Sequence, residues 1–253
     1  MTPKEFRKRV RNREFRGQTA GRCPGYVQAN LAIIPAADTE DFRKFCELNP
    51  KPCPILAVGE KGSWSLPTLG EDIDVRRDAP SYVSFTDGVH TGTHPSLEYL
   101  WQDDFVVFAL GCSLSFEHLL LKEEIPVRHI ELGGIVPAYV SGIPNRAVGR
   151  FAGNLVVSMR PFTPKDAIRA IEITSRHPNV HGAPVHFGDP EAIGIVDIRK
   201  PEYVGPVEIR PGEVPVFWAC GITPQRAMMA AKLPLAIAHE AGHMLVTDIP
   251  LAS

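Results

Sequence analysis

The sequence predicts an α/β fold with mixed sheets and long, proline-rich loops. Short apolar segments bounded by turn residues, which are typical of buried strands, alternate along the chain with segments that carry helix-start signals. Proline accounts for 24 of the 253 residues and glycine for 21, so we do not expect a regular doubly wound sheet. At this length, residues 1–253 are expected to form a single domain or two intimately packed lobes.

Three helices are predicted where a threonine is followed at once by a proline, because threonine caps a helix and proline fits its first turn. These helices are expected near residues 3–14, 164–176 and 224–232. Two further helices are expected at 39–48 and 115–124.

Strands are predicted where short apolar runs end in turn residues. They are expected at 54–58, 104–110, 154–159, 183–187, 192–197 and 214–219, with a last strand over 244–248. The segment 87–95 is too polar and glycine-rich for a helix or a strand, so it is expected to be a loop that can carry function.

The charge balance excludes a general nucleic-acid binder. Lys and Arg number 27 against 29 Asp and Glu, which gives a formal net charge of -2 and no basic footprint. The seven basic residues among the first sixteen are interpreted as the solvated face of the first helix. No apolar run reaches the ~20 residues that span a bilayer, and no signal peptide is recognised. We therefore expect no nucleic-acid or membrane partner and a cytoplasmic location.

Two of the five cysteines follow a predicted strand and precede a predicted helix. Cys112 and Cys220 thus lie where unpaired helix amides lower the pKa of a thiol and make thiolate accessible near neutral pH. A small buried residue at a crowded turn is the structural alternative. The segments 108–115 and 217–223 around them resemble each other once one residue is gapped, which allows an internal duplication. The five cysteines are too few and too scattered for a disulfide scaffold, and none form a Cys-x-x-Cys pair, so a reducing compartment is expected.

His239, Glu240 and His243 match the zinc-peptidase motif, in which two histidines one helical turn apart bind the metal. That chemistry needs a continuous helix, which Pro234 and Gly242 disfavour. We expect the two histidines to line a turn, and we expect neither a metal nor a cofactor.

The segment 173–189 concentrates groups for proton transfer and carboxylate binding. Its histidines include His181 and His186, and histidine titrates near neutral pH. Arg176 from this segment and Arg150 from an upstream turn are candidates to clamp a substrate carboxylate. The structural alternatives are a hydrogen-bonded loop histidine and a solvated salt bridge.

Several motifs resemble those of the D-glutamate cyclase family, and together they span nearly the whole chain. They lie at 19–21, 24–30, 111–117, 126–130, 157–161, 173–176, 181–186, 208–221 and 242–248. The resemblance implies a carbon–oxygen lyase, a hydro-lyase that acts on a small amino or carboxylic acid and converts D-glutamate to 5-oxo-D-proline and water. Glu117 and Ser113, from the motif at 111–117, join the candidates as a catalytic and a substrate-binding residue.

In that reaction the ammonium group loses a proton, and the tetrahedral oxyanion is held while water leaves. The candidate roles are proton transfer by His181 or His186, oxyanion binding or nucleophilic attack at the turns of Cys112 or Cys220, and carboxylate binding by Arg150 or Arg176. Two other functions stay open. One is a cofactor-independent racemase in which the two cysteines act as acid and base; the other is a protein that binds an amino acid without turnover. The proline-rich loops suggest a homo-oligomer.

Overall fold

The structure of the protein is a computed structural model that describes residues 1–203 and 205–251. Within these ranges no helix combines the length and the hydropathy that spanning a bilayer requires. The helices are α1 (Pro3–Arg11), α2 (Thr39–Leu48), α3 (Glu117–Lys122), α4 (Arg128–Glu131), α5 (Pro164–Ser175) and α6 (Ile222–Ala231). The strands are β1 (Tyr26–Pro35), β2 (Ile55–Val58), β3 (Tyr82–Thr86), β4 (Val89–His94), β5 (Phe105–Gly111), β6 (Ala138–Pro144), β7 (Asn154–Phe162), β8 (His186–Phe187), β9 (Val214–Ala219), β10 (Ala236–His239) and β11 (Leu245–Pro250).

A larger antiparallel sheet is built around β1. Its strand order is β2-β5-β1-β10-β3-β4, and β11 also pairs with β1. The ten residues of β1 are enough to pair with two strands on one side: Ala29 faces β11, whereas Ala32 faces β10. Asn30 lies between these two sets of pairs. The segment 240–244, which joins β10 to β11, therefore leaves the sheet beside Asn30.

Apolar layers cover both faces of the larger sheet, which is why β1 and β5 are buried along nearly their whole length. On one face α2 and α6 pack around Phe42 and Phe108, whose rings meet edge to face with centroids 4.9 Å apart. On the other face the irregular segments 66–79 and 97–101, which flank β3 and β4 in the chain, pack through Leu66 and Leu97. Strands buried on both faces are typically continuous apolar runs; β5 is one throughout, whereas the apolar run of β1 is interrupted by Gln28 and Asn30.

A smaller antiparallel sheet runs in the order β6-β7-β9-β8. Helices α3 and α5 pack against it around Trp218, whose ring centroid lies 5.7 Å from that of Phe116 and 6.1 Å from that of Phe162. The indole N–H donates to the hydroxyl of Thr174 on α5 at 3.1 Å. The buried ring therefore keeps its polar group paired.

Helix α1 begins as its capping signals predict. The Thr2 hydroxyl accepts from the N–H of Glu5 at 3.3 Å, and the Glu5 carboxylate accepts from the N–H of Thr2 at 2.8 Å. The interpretation of the basic run as solvated is wrong at Arg7, which is fully buried and paired with Asp72 and Asp248. A guanidinium is buried here because two carboxylates partner it, and the pairing ties α1 to the larger sheet.

The α/β prediction is confirmed, and α2 and β9 match their predicted bounds to the residue. Two predicted segments differ. The strand expected at 192–197 does not form; a 3₁₀ helix over Pro190–Ile193, whose first proline fits a helix start, takes its place. The loop expected at 87–95 is instead the β3–β4 hairpin, because Asp87 and Gly88 adopt the positive φ values, 52° and 80°, of a tight hairpin turn.

Candidate active site

Strand β5 ends at a turn that presents Cys112. Gly111 is the last residue of β5 and pairs with Ala29 on β1. After Cys112 the chain enters a 3₁₀ helix that continues into α3. The hydroxyl of Ser115 binds both backbone groups of Gln28: it accepts from the N–H at 2.9 Å and donates to the C=O at 3.4 Å. These two bonds fix the turn to β1.

Strand β9 ends in the same way at Cys220. Ala219 pairs with Val157 on β7, and α6 begins shortly after the cysteine. The hydroxyl of Thr223 accepts from the N–H of Val156 at 3.0 Å and donates to its C=O at 3.4 Å. In both junctions the hydroxyl residue follows its cysteine at the same spacing and binds the neighbouring strand at the equivalent register. The two junctions therefore share one backbone plan.

Both cysteines line one cavity of about 230 Å³. The apolar part of its wall comes from Leu114, Ile135, Val136, Ala138, Ile222, Ala241 and Met244. Its polar side chains besides the thiols belong to Asn30, Ser113, Glu202, Tyr203 and His239. A mainly apolar cavity with a few convergent polar groups is typical of a site for a small molecule. Among the described lining residues, His239 has the one side chain that can carry a positive charge.

Burial raises the pKa of both thiols. It carries the pKa of Cys112 to about 12, although the N–H of Leu114, which donates to the sulfur, and the charge of Arg160 act in the other direction. The pKa of Cys220 is also raised by burial, against a hydrogen bond from the N–H of Ile222 and the same Arg160. The expectation of thiolates near neutral pH is therefore wrong for the protein by itself, because desolvation outweighs the amides. At pH 7 both sulfurs carry a proton.

A buried ion pair lies behind Ser113. Arg160 on β7 is fully buried; its Nε donates to Oε1 of Glu117 at 2.9 Å, and its terminal nitrogens donate to the hydroxyls of Ser158 at 3.1 Å and Ser113 at 3.3 Å. His129 Nε2 lies 3.1 Å from the same carboxylate oxygen. Burial by itself would raise the pKa of Glu117, but His129 and Arg160 outweigh it and hold the pKa below its ordinary value. Glu117 thus fixes Arg160 behind the cavity wall.

Asn30 connects the two junctions from β1. Its Nδ2 donates to the C=O of Gly111 at 2.7 Å, and its Oδ1 lies 3.0 Å from Nε2 of His239. Gly221 packs directly on this amide: a Cβ at position 221 would lie 2.1 Å from Nδ2 of Asn30. Only glycine fits at that position, because any side chain there would displace Asn30 from both of its partners.

The two histidines expected to move protons lie away from this cavity. His181 is buried, its Nδ1 donates to the C=O of Lys51 at 2.8 Å, and burial lowers its pKa to about 4. His186 on β8 donates through Nε2 to the C=O of Asp189 at 2.7 Å. Neither ring lines the cavity with the thiols.

The two arginines expected to bind a carboxylate also lie elsewhere. Arg150 is exposed and pairs with Asp38. Arg176 lines a separate groove between α3 and α5, beside Glu172 and His177. Of the eight candidate site residues, Cys112, Cys220 and Ser113 line one cavity. Glu117 lies behind the cavity wall and binds Arg160, which donates to the hydroxyl of Ser113. The other four, which are the two arginines, His181 and His186, lie outside the cavity.

The segment from His239 to His243 joins β10 to β11 as a turn, as the sequence predicts. His239 donates through Nδ1 to the C=O of Glu240 at 2.8 Å, and His243 does so to the C=O of Ala241 at 3.0 Å. Gly242 has a φ of 81°, which no helix continues through. These residues cannot form the zinc-peptidase helix. Among the residues that the structure describes, no three His, Cys, Asp or Glu side chains are grouped as metal ligands.

A protein-family model described as D-glutamate cyclase matches residues 106–248. The chain belongs to the D-glutamate cyclase family. A protein of Paraburkholderia phymatum named "Putative hydro-lyase" is 62% identical over 253 residues, which is 100% of this chain and 98% of that protein. A Burkholderia lata protein of the same description is 60% identical with the same coverage. Among solved structures, a nitrogen repressor-like protein from Methanococcus jannaschii matches with a TM-score of 0.41 and 11% identity over 93% of this chain and 91% of that one, a likeness that carries no functional argument.

The segment matched to the D-glutamate cyclase family contains Cys112, Cys220 and His239, whereas Asn30 precedes it. Sequence reasoning did not single out Asn30, and it placed His239 only in a turn. The available signal was the position of Asn30 inside the apolar run 27–34, because a polar residue in a buried strand needs a specific partner.

Proposed function

We propose that this member of the D-glutamate cyclase family is a carbon–oxygen lyase that converts D-glutamate to 5-oxo-D-proline and water in the cavity between Cys112 and Cys220. One observation carries the proposal: two equivalent strand-to-helix junctions present a protonated thiol each to one small, mainly apolar cavity. The family membership and the hydro-lyase names of two full-length relatives support it. All five cysteines, each within the described residues, are free, which fits the reducing cytoplasm.

The apolar wall favours the first step of lactam formation. Transfer from water to such a cavity disfavours charge, so it lowers the pKa of the substrate ammonium and raises that of its γ-carboxylate. A proton then passes from the ammonium to the γ-carboxylate. This transfer yields a neutral amine, which can attack, and a carboxylic acid, whose hydroxyl can leave as water.

The thiols supply the second proton transfer. When the amine adds to the γ-carboxyl carbon, a C–N bond forms and the carbonyl oxygen takes up the negative charge. The S–H of Cys112 or Cys220 protonates the hydroxyl as the C–O bond breaks, and the resulting thiolate takes one of the two protons on the ring nitrogen, which leaves the N–H of the lactam. The sulfur ends as a thiol, so the cycle closes with lactam and water as products.

The test is proton NMR of the purified protein in deuterated buffer, with D-glutamate and separately with 5-oxo-D-proline. We expect interconversion without deuteration at the α-carbon. Cys112→Ser and Cys220→Ser should lower the rate by about 10²-fold or more, whereas Cys23→Ser is a matched control because Cys23 is also buried but packs against α1 and β11. Absence of interconversion by the wild-type protein contradicts the proposal.

A second candidate function is exchange of the α-proton between two opposed cysteines, as in a cofactor-independent racemase. The equivalence of the two junctions favours it, since such chemistry needs an acid and a base of one kind on either side of a carbon. Deuteration at the α-carbon without lactam formation, lost in either cysteine variant, would favour this candidate. Saturable ligand binding with neither reaction would instead indicate a binding protein.

A further inference from the structure

A substrate carboxylate in this cavity has few positive charges to pair with. Arg150 and Arg176 lie outside the cavity, and Arg160 behind the wall is already neutralised by Glu117. His239, 7% exposed, is the one described lining residue whose side chain can become a cation. A carboxylate taken out of water needs a charged partner. The imidazole of His239 is therefore the described group of the cavity wall that could pair with a substrate carboxylate.

The hydrogen bonds of His239 favour a doubly protonated ring. Nδ1 faces the C=O of Glu240 at 2.8 Å, which can only accept. Nε2 faces Oδ1 of Asn30 at 3.0 Å. The Asn30 amide cannot reverse its ends without setting its oxygen against the C=O of Gly111. A neutral ring has one N–H, so one of its nitrogen lone pairs must face an oxygen; an imidazolium has a donor for each acceptor.

Among the residues that the structure describes, no negative group balances that charge. Burial is the main reason that the pKa of His239 falls to about 4, and His243 in the same loop lowers it further, while the C=O of Glu240 acts in the other direction. The ring is therefore neutral at pH 7, despite the two acceptors around it. The imidazole of His239 would need a nearby anion to become protonated at this pH.

The other described elements packed around His239 contribute no carboxylate that touches the ring. Strand β1 contributes the neutral Asn30, and the α6 junction contributes the thiol of Cys220. On β3, Tyr82 is opposite in register, but its hydroxyl donates to Val75 at 2.6 Å. The carboxylate of Glu202, the acidic residue of the cavity wall, accepts a hydrogen bond from the N–H of Val140 at 3.1 Å.

We propose that His239 takes up one proton from solvent when a carboxylate binds in this cavity, and that the imidazolium then serves as the counter-ion of that carboxylate. Both ring N–H groups stay bonded to Glu240 and Asn30, so the contribution of His239 to ligand binding is its charge. The inference rests on the proposed function in one respect: it takes the anion to be D-glutamate or 5-oxo-D-proline.

The experiment is isothermal titration calorimetry of 5-oxo-D-proline at pH 7 in buffers of different ionisation enthalpy, with 5-oxo-D-prolinamide as the uncharged analogue. The carboxylate should bind with uptake of about one proton per site, and the amide with none. Between pH 5 and the pKa that His239 has in the complex, Kd should rise by about tenfold per pH unit, because less of the ring is protonated as the pH increases.

The variants are His239→Gln and, as a matched control in the same turn, His243→Gln. His239→Gln should bind the carboxylate at least about tenfold more weakly, with no proton uptake and no pH dependence of Kd over this range. His243→Gln should keep both the proton uptake and the pH dependence of Kd, because His239 is still present. If His239→Gln does not fold, the imidazole C–H resonances of His239 in the wild-type protein, recorded with and without 5-oxo-D-proline at pH 7, report the protonation of this ring directly. A ring that stays neutral in the complex overturns the inference.

Binding of 5-oxo-D-proline without proton uptake, unchanged affinity in His239→Gln, or no binding of either D-glutamate or 5-oxo-D-proline would overturn the inference. The failure of the proposed function is a separate result. Carboxylate binding with proton uptake but without interconversion overturns only the cyclase; interconversion with a pH-independent Kd overturns only the role of His239.

Discussion

The junctions at Cys112 and Cys220 share a backbone plan but differ in what lies behind each thiol. Behind Cys112 is the buried pair of Arg160 and Glu117, and the Glu117 charge and the second thiol both add to the rise in the Cys112 pKa. Beside Cys220 is the neutral amide of Asn30, and within residues 1–203 and 205–251 no acidic group raises the pKa of its thiol further.

This difference makes one thiol the stronger acid. Cys112 is buried and Cys220 only half-buried, and Arg160 lowers the pKa of both thiols. Equivalent backbone positions therefore do not give equivalent chemistry: we expect Cys220 to exchange its proton more readily than Cys112. In the proposed reaction Cys220 is the better relay, and Cys112 holds its proton as a hydrogen-bond donor.

The largest expected effect is a difference in catalytic activity between the variants of the two thiols. Cys220→Ser should reduce kcat for interconversion of D-glutamate and 5-oxo-D-proline by about 10³-fold, and Cys112→Ser by about 10²-fold. Steady-state kinetics by NMR or chiral chromatography measures both. Equal losses in the two variants would contradict a division of roles between the junctions.

Removing the carboxylate charge of Glu117, which lies behind the Cys112 junction, should lower the free energy of unfolding. In Glu117→Gln the buried guanidinium of Arg160 loses its counter-ion, which is expected to lower the free energy of unfolding by about 3–5 kcal/mol in urea denaturation. Glu123→Gln is the control, because Glu123 and its partner Arg169 lie at the surface and should change stability by less than about 1 kcal/mol.

Glu117→Gln should also change how the free energy of unfolding depends on pH. Because the pKa of Glu117 is lowered in the folded protein, its contribution to stability is present above the pKa of an unfolded glutamate, about 4.3, and is lost as the pH falls through the folded value. Glu117→Gln should remove that part of the acid-induced loss. Identical pH profiles for variant and wild type would show that the ion pair does not stabilise the fold.

The third comparison tests the residues that directly follow the cysteines. In Gly221→Ala the new methyl group collides with the Asn30 amide, and overpacking of this kind costs about 1–3 kcal/mol. Ser113→Ala removes one hydrogen bond at 3.3 Å from Arg160 and should cost about 1 kcal/mol. Thermal unfolding measures both. A tolerated alanine at 221 would mean that Asn30 is not held as described.

The smallest difference is expected between the two hydroxyls that fix the turns. Ser115→Ala and Thr223→Val each leave a buried strand N–H without its acceptor, that of Gln28 or of Val156. Each should lower the free energy of unfolding by about 1–3 kcal/mol, and the two values should agree within about 1 kcal/mol. A large cost at one hydroxyl and none at the other would refute the equivalence of the junctions.

Local signals in the sequence predicted local structure well. The threonine and proline at the start of α5 placed that helix correctly, since capping depends on residues close in the chain. Local reading failed where a few residues set the geometry: at Asp87 and Gly88 it missed a hairpin turn. It also favoured Arg150 and Arg176 for carboxylate binding, since side-chain chemistry says what a residue can do but not where the fold puts it.

The sequence by itself determined the α/β class, the helix starts, the family and the position of both cysteines between a strand and a helix. Only the tertiary structure decided that both thiols reach one cavity, that burial raises their pKa, and that His239 is the potential cation of its wall. The reason is that capping and periodicity depend on neighbours in the chain, whereas desolvation and charge pairing depend on groups such as Asn30 and His239, which are remote in sequence and meet only when the sheet forms.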